Sequence, residues 1–243
     1  MLYALPGERG QVYANLSRSY EPPLLLELNS LTVPGFIALR GQDAWQAELG
    51  VRGVAGSVRW DLAAYDVELH DEILNVNVAP FPGAGFTVPT YRNAPRSRHY
   101  GLESGLEVDL PPGRLRLAYT YARYRFVEDS LFEGNEIPGA PRHHLQAQFR
   151  YQHRTGLALT PSLEWVPSRY FVNSGNTASN DGWATVGLRA EYRLERLGFT
   201  AFAAGQNLTD THYAATVQVD NAAGRSYEPA DGRSFYLGFQ WAR

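Results

Sequence analysis

The residues that carry chemistry in this chain are scattered. His143 and His144 are adjacent, and in a strand adjacent side chains point to opposite faces, so the two cannot clamp one metal ion. Asp210 and His212, two apart, would share a strand face and could form a general-base pair, but no second acidic pair supports them. Asn207-Leu208-Thr209-Asp210 sits where Asn and Asp side chains commonly cap or turn the backbone, which favours a structural role. The sequence contains no glycine-rich phosphate loop, nucleophile elbow or HExxH. With no cysteine, a thiolate metal site and a disulfide framework are excluded. These residues predict no enzyme, no metal and no cofactor.

The surrounding elements explain more. Aromatic residues make up 13% of the 243, Gly and Pro number 23 and 15, and 22 basic residues nearly balance 25 acidic ones. That balance argues against nucleic acid as a partner. Every one of the 22 cations is Arg, from which no function follows. No run approaches the roughly 18 apolar residues of a membrane helix, but barrel strands need only about 9 to 11, with alternating faces.

Period-two alternation runs from end to end. Leu115, Leu117, Tyr119 and Tyr121 oppose Arg116, Ala118, Thr120 and Ala122; Ala184, Val186, Leu188, Ala190 and Tyr192 interleave with Thr185, Gly187, Arg189, Glu191 and Arg193. Leu145, Ala147, Phe149 and Tyr151, and Phe235, Leu237, Phe239 and Trp241, alternate likewise. Such patterns predict half-buried strands. Further strands are expected near Leu2 to Leu5, Gln11 to Tyr20, Ala44 to Gly53, Ser57 to Glu72, Ser97 to Asp109, Leu157 to Tyr170 and Phe199 to Leu208, about eleven in all. Pro161 interrupts one of them and predicts a bulge. After Ala64 the phase slips, because Tyr65, Val67 and Leu69 follow Trp60, Leu62 and Ala64; that half is expected to project above the lipid.

The connections alternate between short and long. Pro6 to Gly10, Val54 to Gly56, Leu110 to Arg114, His153 to Gly156 and Leu194 to Gly198 read as tight turns. Glu21 to Asp43, Ile73 to Arg96, Asp129 to Pro141, Asn173 to Asp181 and Ala214 to Asp231 read as long loops. Outer-membrane barrels sort their connections this way, with short turns in the periplasm and long loops outside. The interleaved charges Glu48, Arg52, Arg59, Asp61, Glu103, Glu107, Arg116, Arg150, Glu164, Arg189 and Glu191 suit a wet interior. Trp45, Trp60, Tyr151, Tyr192 and Trp241 suit interfacial girdles. The reading is an all-β, antiparallel transmembrane barrel.

Four phrases resemble the barrel of TonB-dependent receptors. Tyr13-Ala14-Asn15-Leu16-Ser17-Arg18-Ser19-Tyr20-Glu21-Pro22-Pro23 is similar to their rising "Y-A-N-x-S-x-S-[FY]-x-P-P" run, and Glu48 to Gly53 to the following "E-x-G-x-[RK]-G" strand. Asn207 to Tyr213 resembles "N-L-[FTL]-D-x-x-Y", and Gly232 to Gly238 resembles "G-R-x-[FWY]-x-[LV]-G". The resemblance implies a barrel of about 22 strands closed by an amino-terminal plug. Residues 1–243 are thus expected to be the carboxy-terminal half of the barrel, lacking the plug domain and the signal peptide. It further implies an outer-membrane receptor of a Gram-negative bacterium that takes up an iron-siderophore or similar scarce nutrient, energised by TonB through a plug absent here. Its partners would be the ferric chelate and outer-membrane lipid. Ligand contact in that family lies in outer loops and upper lumen, and the residues matching that placement are Tyr91, Arg92, Arg96, Arg98, Tyr170, Asn173, Arg225 and Tyr227. The alternatives are a self-contained small porin and an omptin-like barrel enzyme.

Overall fold

The computed structural model describes residues 2–4, 10–29, 35–81, 83–86, 88–221 and 224–241. Eleven strands form one antiparallel sheet. In sheet order they are β1 (Leu2–Ala4), β2 (Gly10–Glu21), β3 (Gln42–Ala55), β4 (Val58–Val78), β5 (Val88–Leu110), β6 (Gly113–Glu128), β7 (His143–Gln152), β8 (Leu157–Val166), β11 (Trp183–Leu194), β12 (Phe199–Gln206) and β15 (Ser234–Trp241). Two short ribbons stand apart from it: β9 (Tyr170–Phe171) with β10 (Ser179–Asn180), and β13 (Ala214–Val217) with β14 (Tyr227–Pro229). Among the described residues the sheet is open, with β1 and β15 at its two ends.

Register assigns each side chain a face. Leu188 pairs with Pro161 and Gly205, Ala190 with Leu159 and Ala203, and Ala203 with Leu237, so the apolar positions form one continuous convex surface. Leu237 is 84% exposed and Phe239 75%. Contiguous apolar exposure on that scale suits hydrocarbon rather than water. On the concave side Arg59 pairs with Glu107, Glu107 with Arg116, and Arg116 with Gln148, giving a polar wall. No helix is long and apolar enough to cross a membrane, a criterion that does not bear on strands.

The connections sort by length as the sequence predicts, with tight turns at one end and long loops at the other. The turn at 5–9 and part of the first loop lie outside the described residues. Three expectations need correction. The span Ile73 to Arg96 is mostly strand, because β4 and β5 pair from Val58 to Val78 in register with Val108 to Val88. At 21 and 23 residues they far exceed the roughly 9 to 11 that cross a membrane, so their upper halves project. Pro80, Pro89 and Pro95 made this span read as loop, although Leu74, Val76 and Val78 alternate with Asn75 and Asn77. Next, β8 ends at Val166 rather than Tyr170, since Pro167 follows and the chain turns into β9. Last, Pro161 causes no bulge: register to β7 is the same on either side of it, from Gln148↔Ser162 to Tyr151↔Leu159, and the ladder merely lacks pairs between.

The slip after Ala64 is a change of chemistry and not of register. Tyr65, Val67 and Leu69 continue on the concave side, and Asp66 and Glu68 take the convex one, in unbroken pairing with β3 and β5. Higher up, Asp71 adopts φ 56° and interrupts the ladder between His70 and Glu72. The Glu72 carboxylate turns to the face of Ser97 and accepts its hydroxyl hydrogen bond. Phe126, Val76, Ala94 and Val172, all at 0% exposure, belong to a small core at the loop end.

Candidate functional site

The concave wall encloses a space of about 1510 Å³, lined from Gln11 of β2 and Arg52 of β3 round to Gln206 of β12 and Ser234 of β15. The strands that curve around it turn alternate residues toward it, polar ones interspersed with small ones such as Gly105, Ala118 and Gly187. Arg59 Nη1 lies 2.8 Å from Glu107 Oε1 and 3.1 Å from Asp109 Oδ2. Arg116 Nε donates to Glu107 Oε2 at 2.6 Å, and Arg114 Nε to Asp109 Oδ1 at 2.6 Å. Across the wall, Arg150 Nη1 and Arg189 Nη2 donate to Glu191 at 2.6 and 2.9 Å. Asp61 and Glu164 on the same wall bring the carboxylates level with these five arginines, so the wall offers hydrogen-bonding capacity without the concentrated charge of an anion trap.

Two glycines admit aromatic rings to this face. A Cβ on Gly50 would sit 2.1 Å from the Tyr13 ring, and one on Gly238 would meet Phe202 at 2.5 Å. Tyr13 therefore lies across β3 between Glu48 and Arg52, and the Arg52 guanidinium is 6.0 Å from its ring centre while donating to Gln11. On the far side the Arg189 guanidinium lies 4.0 Å above Phe202. The Glu48-Leu49-Gly50-Val51-Arg52 phrase is thus the cross-strand seat of Tyr13.

His143 and His144 do face opposite ways. His143 Nδ1 is 2.7 Å from the Tyr119 hydroxyl on the convex side, and His144 Nε2 is 2.9 Å from Glu164 on the concave side. Asp210 and His212 fall in the turn after β12, not on a strand, so they share no face. Asp210 accepts from the Arg233 N–H at 3.0 Å, and the Asn207 side chain donates to Thr211 O and Asp231 O while accepting from Thr211 N–H. These are backbone caps. No group of three potential metal ligands occurs among the described residues.

The loop-end residues predicted to meet a ligand divide into three sets. Arg92 donates to Asp129 at 2.6 Å and stacks 5.3 Å over Phe132, so its guanidinium joins β5 to the loop after β6. Tyr170 is buried and accepts from Asn180 at 2.8 Å; Asn173 accepts from the Thr177 and Ala178 N–H groups. Those three hold loops together. Arg96 and Arg98 are on the convex face, paired with Glu68 and Asp66, and do not line the concavity. Arg225 and Tyr227 are exposed in the last loop, and Tyr227 donates to Ser179 O at 2.8 Å; Tyr91 is half-buried on β5. The wall residues Asp61, Gln146, Gln148 and Glu164 were legible as a wet face, but nothing in the sequence distinguished them as site residues.

Three loops interlock above the concavity. Asn135 donates to Ser174 O at 2.9 Å, Asn176 accepts from Glu136 N–H at 2.8 Å, and Ser174 donates to Asp220 at 2.6 Å. Burial alone would raise the Asp129 carboxyl. The Arg92 bond and the Leu131 and Phe132 N–H groups outweigh it and hold Asp129 below the usual carboxylate range.

Known proteins share this architecture. The ferric yersiniabactin uptake receptor FyuA from Yersinia pestis superposes with a TM-score of 0.74 at 17% identity, covering 98% of this chain and 35% of that one. The ferric-catecholate import receptor Fiu from E. coli K12 gives 0.73 at 20% identity, covering 98% and 33%, and the copper transporter OprC gives 0.79 at 16%, covering 98% and 38%. The chain therefore spans about a third of the length of these structures, and the likeness is one of fold. A family model described as "TonB dependent receptor-like, beta-barrel" matches residues 2–208. The chain belongs to the TonB-dependent receptor β-barrel family.

Proposed function

We propose that this chain forms wall and outer loops of an outer-membrane active-transport receptor that imports an iron-siderophore or similar scarce chelate. The carrying observation is the pairing of an apolar convex face with a hydrogen-bonding concave face across the sheet, capped at one end by interlocked loops. Its tight turns lie in the periplasm and its long loops outside. The cargo is captured by Arg225 and Tyr227, exposed in the last loop, together with the half-buried Tyr91 near the outer end of β5, which suit anionic or aromatic chelates. Residues 1–243 supply about half of a barrel of about 22 strands, and a plug domain supplied by the remaining chain couples it to TonB. Membership of a receptor-like barrel family supports the reading of a receptor rather than an enzyme.

The test is uptake of a panel of labelled iron chelates, with copper included because one fold neighbour is a copper transporter. Strains carry or lack the gene, with TonB intact or deleted. Uptake of one cargo that needs both genes is expected. Uptake indifferent to TonB would instead indicate passive diffusion.

A further inference from the structure

The loops after β6, β8 and β12 are far apart in sequence, yet the middle one is bonded to both of the others. Toward the loop after β6, the Asn176 side chain accepts from Glu136 N–H at 2.8 Å and donates to Glu136 O at 2.9 Å. Asn135 donates to Ser174 O at 2.9 Å, and Gly139 N–H donates to Phe171 O at 2.9 Å. Toward the loop after β12, Asp220 accepts from the Ser174 N–H at 2.8 Å and from its hydroxyl at 2.6 Å. Asp220 N–H donates to Val172 O at 3.0 Å, and the Tyr227 hydroxyl donates to Ser179 O at 2.8 Å.

Both seams run through the same few residues. Ser174 meets Asn135 through its carbonyl and Asp220 through its N–H and hydroxyl, so a shift of Ser174 away from one neighbour disturbs its bonds to the other. Val172 and Ser174 are buried, and parting a seam there leaves polar groups without partners. The two clip residues, Asn176 and Asp220, have φ of 53° and 51°, a left-handed backbone that Asn and Asp adopt more readily than most residues. Arg92 and Asp129 in turn fasten the loop after β6 to the projecting β5.

We infer that these three loops form one cooperative lid, keyed by residues 170–180, that opens as a unit and not loop by loop. A ligand that orders any one of them must then protect the other two, because stabilising one member of a cooperative unit stabilises the whole. The coupling lies in the loops themselves and does not depend on the cargo.

The test is native-state hydrogen exchange on the intact receptor in mild detergent, with no ligand added. In the wild-type protein the bonded amides of Gly139, Val172 and Asp220, one from each loop, are expected to have opening constants within about threefold of one another and to shift together as denaturant is added. Asn176→Gly keeps the backbone conformation and removes the first clip. It is expected to speed exchange about tenfold in residues 214–231, a loop that Asn176 does not bond, and Asp220→Gly is expected to do the same in residues 130–141. Arg150→Gln on the concave wall should change neither loop. Acceleration confined to the loops that the altered side chain bonds, or a wider spread among the three wild-type opening constants, overturns the inference. The wild-type comparison stands even if a variant fails to fold. Because no cargo is used, a negative result here removes the lid and leaves the transport reading to its own uptake test.

Discussion

Arg92 and Asp129, 37 residues apart, meet through a 2.6 Å hydrogen bond in which the carboxylate is wholly buried and the guanidinium nearly so. Asp129 also accepts from the N–H groups of Leu131 and Phe132 at 2.8 and 2.9 Å. One side chain therefore ends β6, starts the following loop and ties both to the projecting β5.

Removing Asp129 strands a largely buried cation, so Asp129→Ala is expected to destabilise the loop end by about 3 kcal/mol. Adding Arg92→Leu should recover only part of that, because the Leu131 and Phe132 donors still lack an acceptor. Hydrogen exchange over residues 130–141 measures both.

The same pair sets a pH response. A carboxyl whose folded pKa is depressed contributes stability that is fully present above its unfolded value near 3.9 and is lost as pH falls through the folded value. Protection of this loop is expected to stay flat from neutrality to about pH 4 and to decline below it, as exchange or limited proteolysis across that range will show. A decline starting at pH 6 would implicate a histidine instead.

Face assignment gives a contrast on one strand. Leu188→Arg places a charge on the convex belt and should cost about 2–4 kcal/mol, whereas Thr185→Arg enters the wet concavity and should change stability by less than about 0.5 kcal/mol. Denaturant unfolding in lipid vesicles reads both.

Asn207 carries three backbone bonds and a positive φ of 47°. Asn207→Ala is expected to cost about 2–3 kcal/mol, and Asn207→Gly to recover only the conformational part. The melting midpoint of heat-modifiable migration is the measure.

Ser174 and Asp220 join two outer loops at 2.6 Å. Asp220→Ala should leave wall stability within about 1 kcal/mol of wild type while opening residues 214–231 to protease. Cargo affinity should fall if these loops form the entrance.

Strand number, face polarity and the parity of loop lengths were readable without coordinates, because each follows from local alternation. A strand between hydrocarbon and water must switch polarity at every residue, and Leu115 to Tyr124 or Ala184 to Arg193 can be read no other way. The cap role of Asn207 was equally local. Tertiary structure decided what local pattern cannot encode. The upper halves of β4 and β5 pack Val76 and Ala94 into a core at the loop end, while Pro80, Pro89 and Pro95 made this stretch read as loop. Whether a loop-end arginine meets cargo, a buried carboxylate or the lipid side depended on partners 30 or more residues away, as with Arg98 and Asp66 or Arg92 and Asp129. Face follows from position along one strand; partnership requires the fold that brings distant strands together.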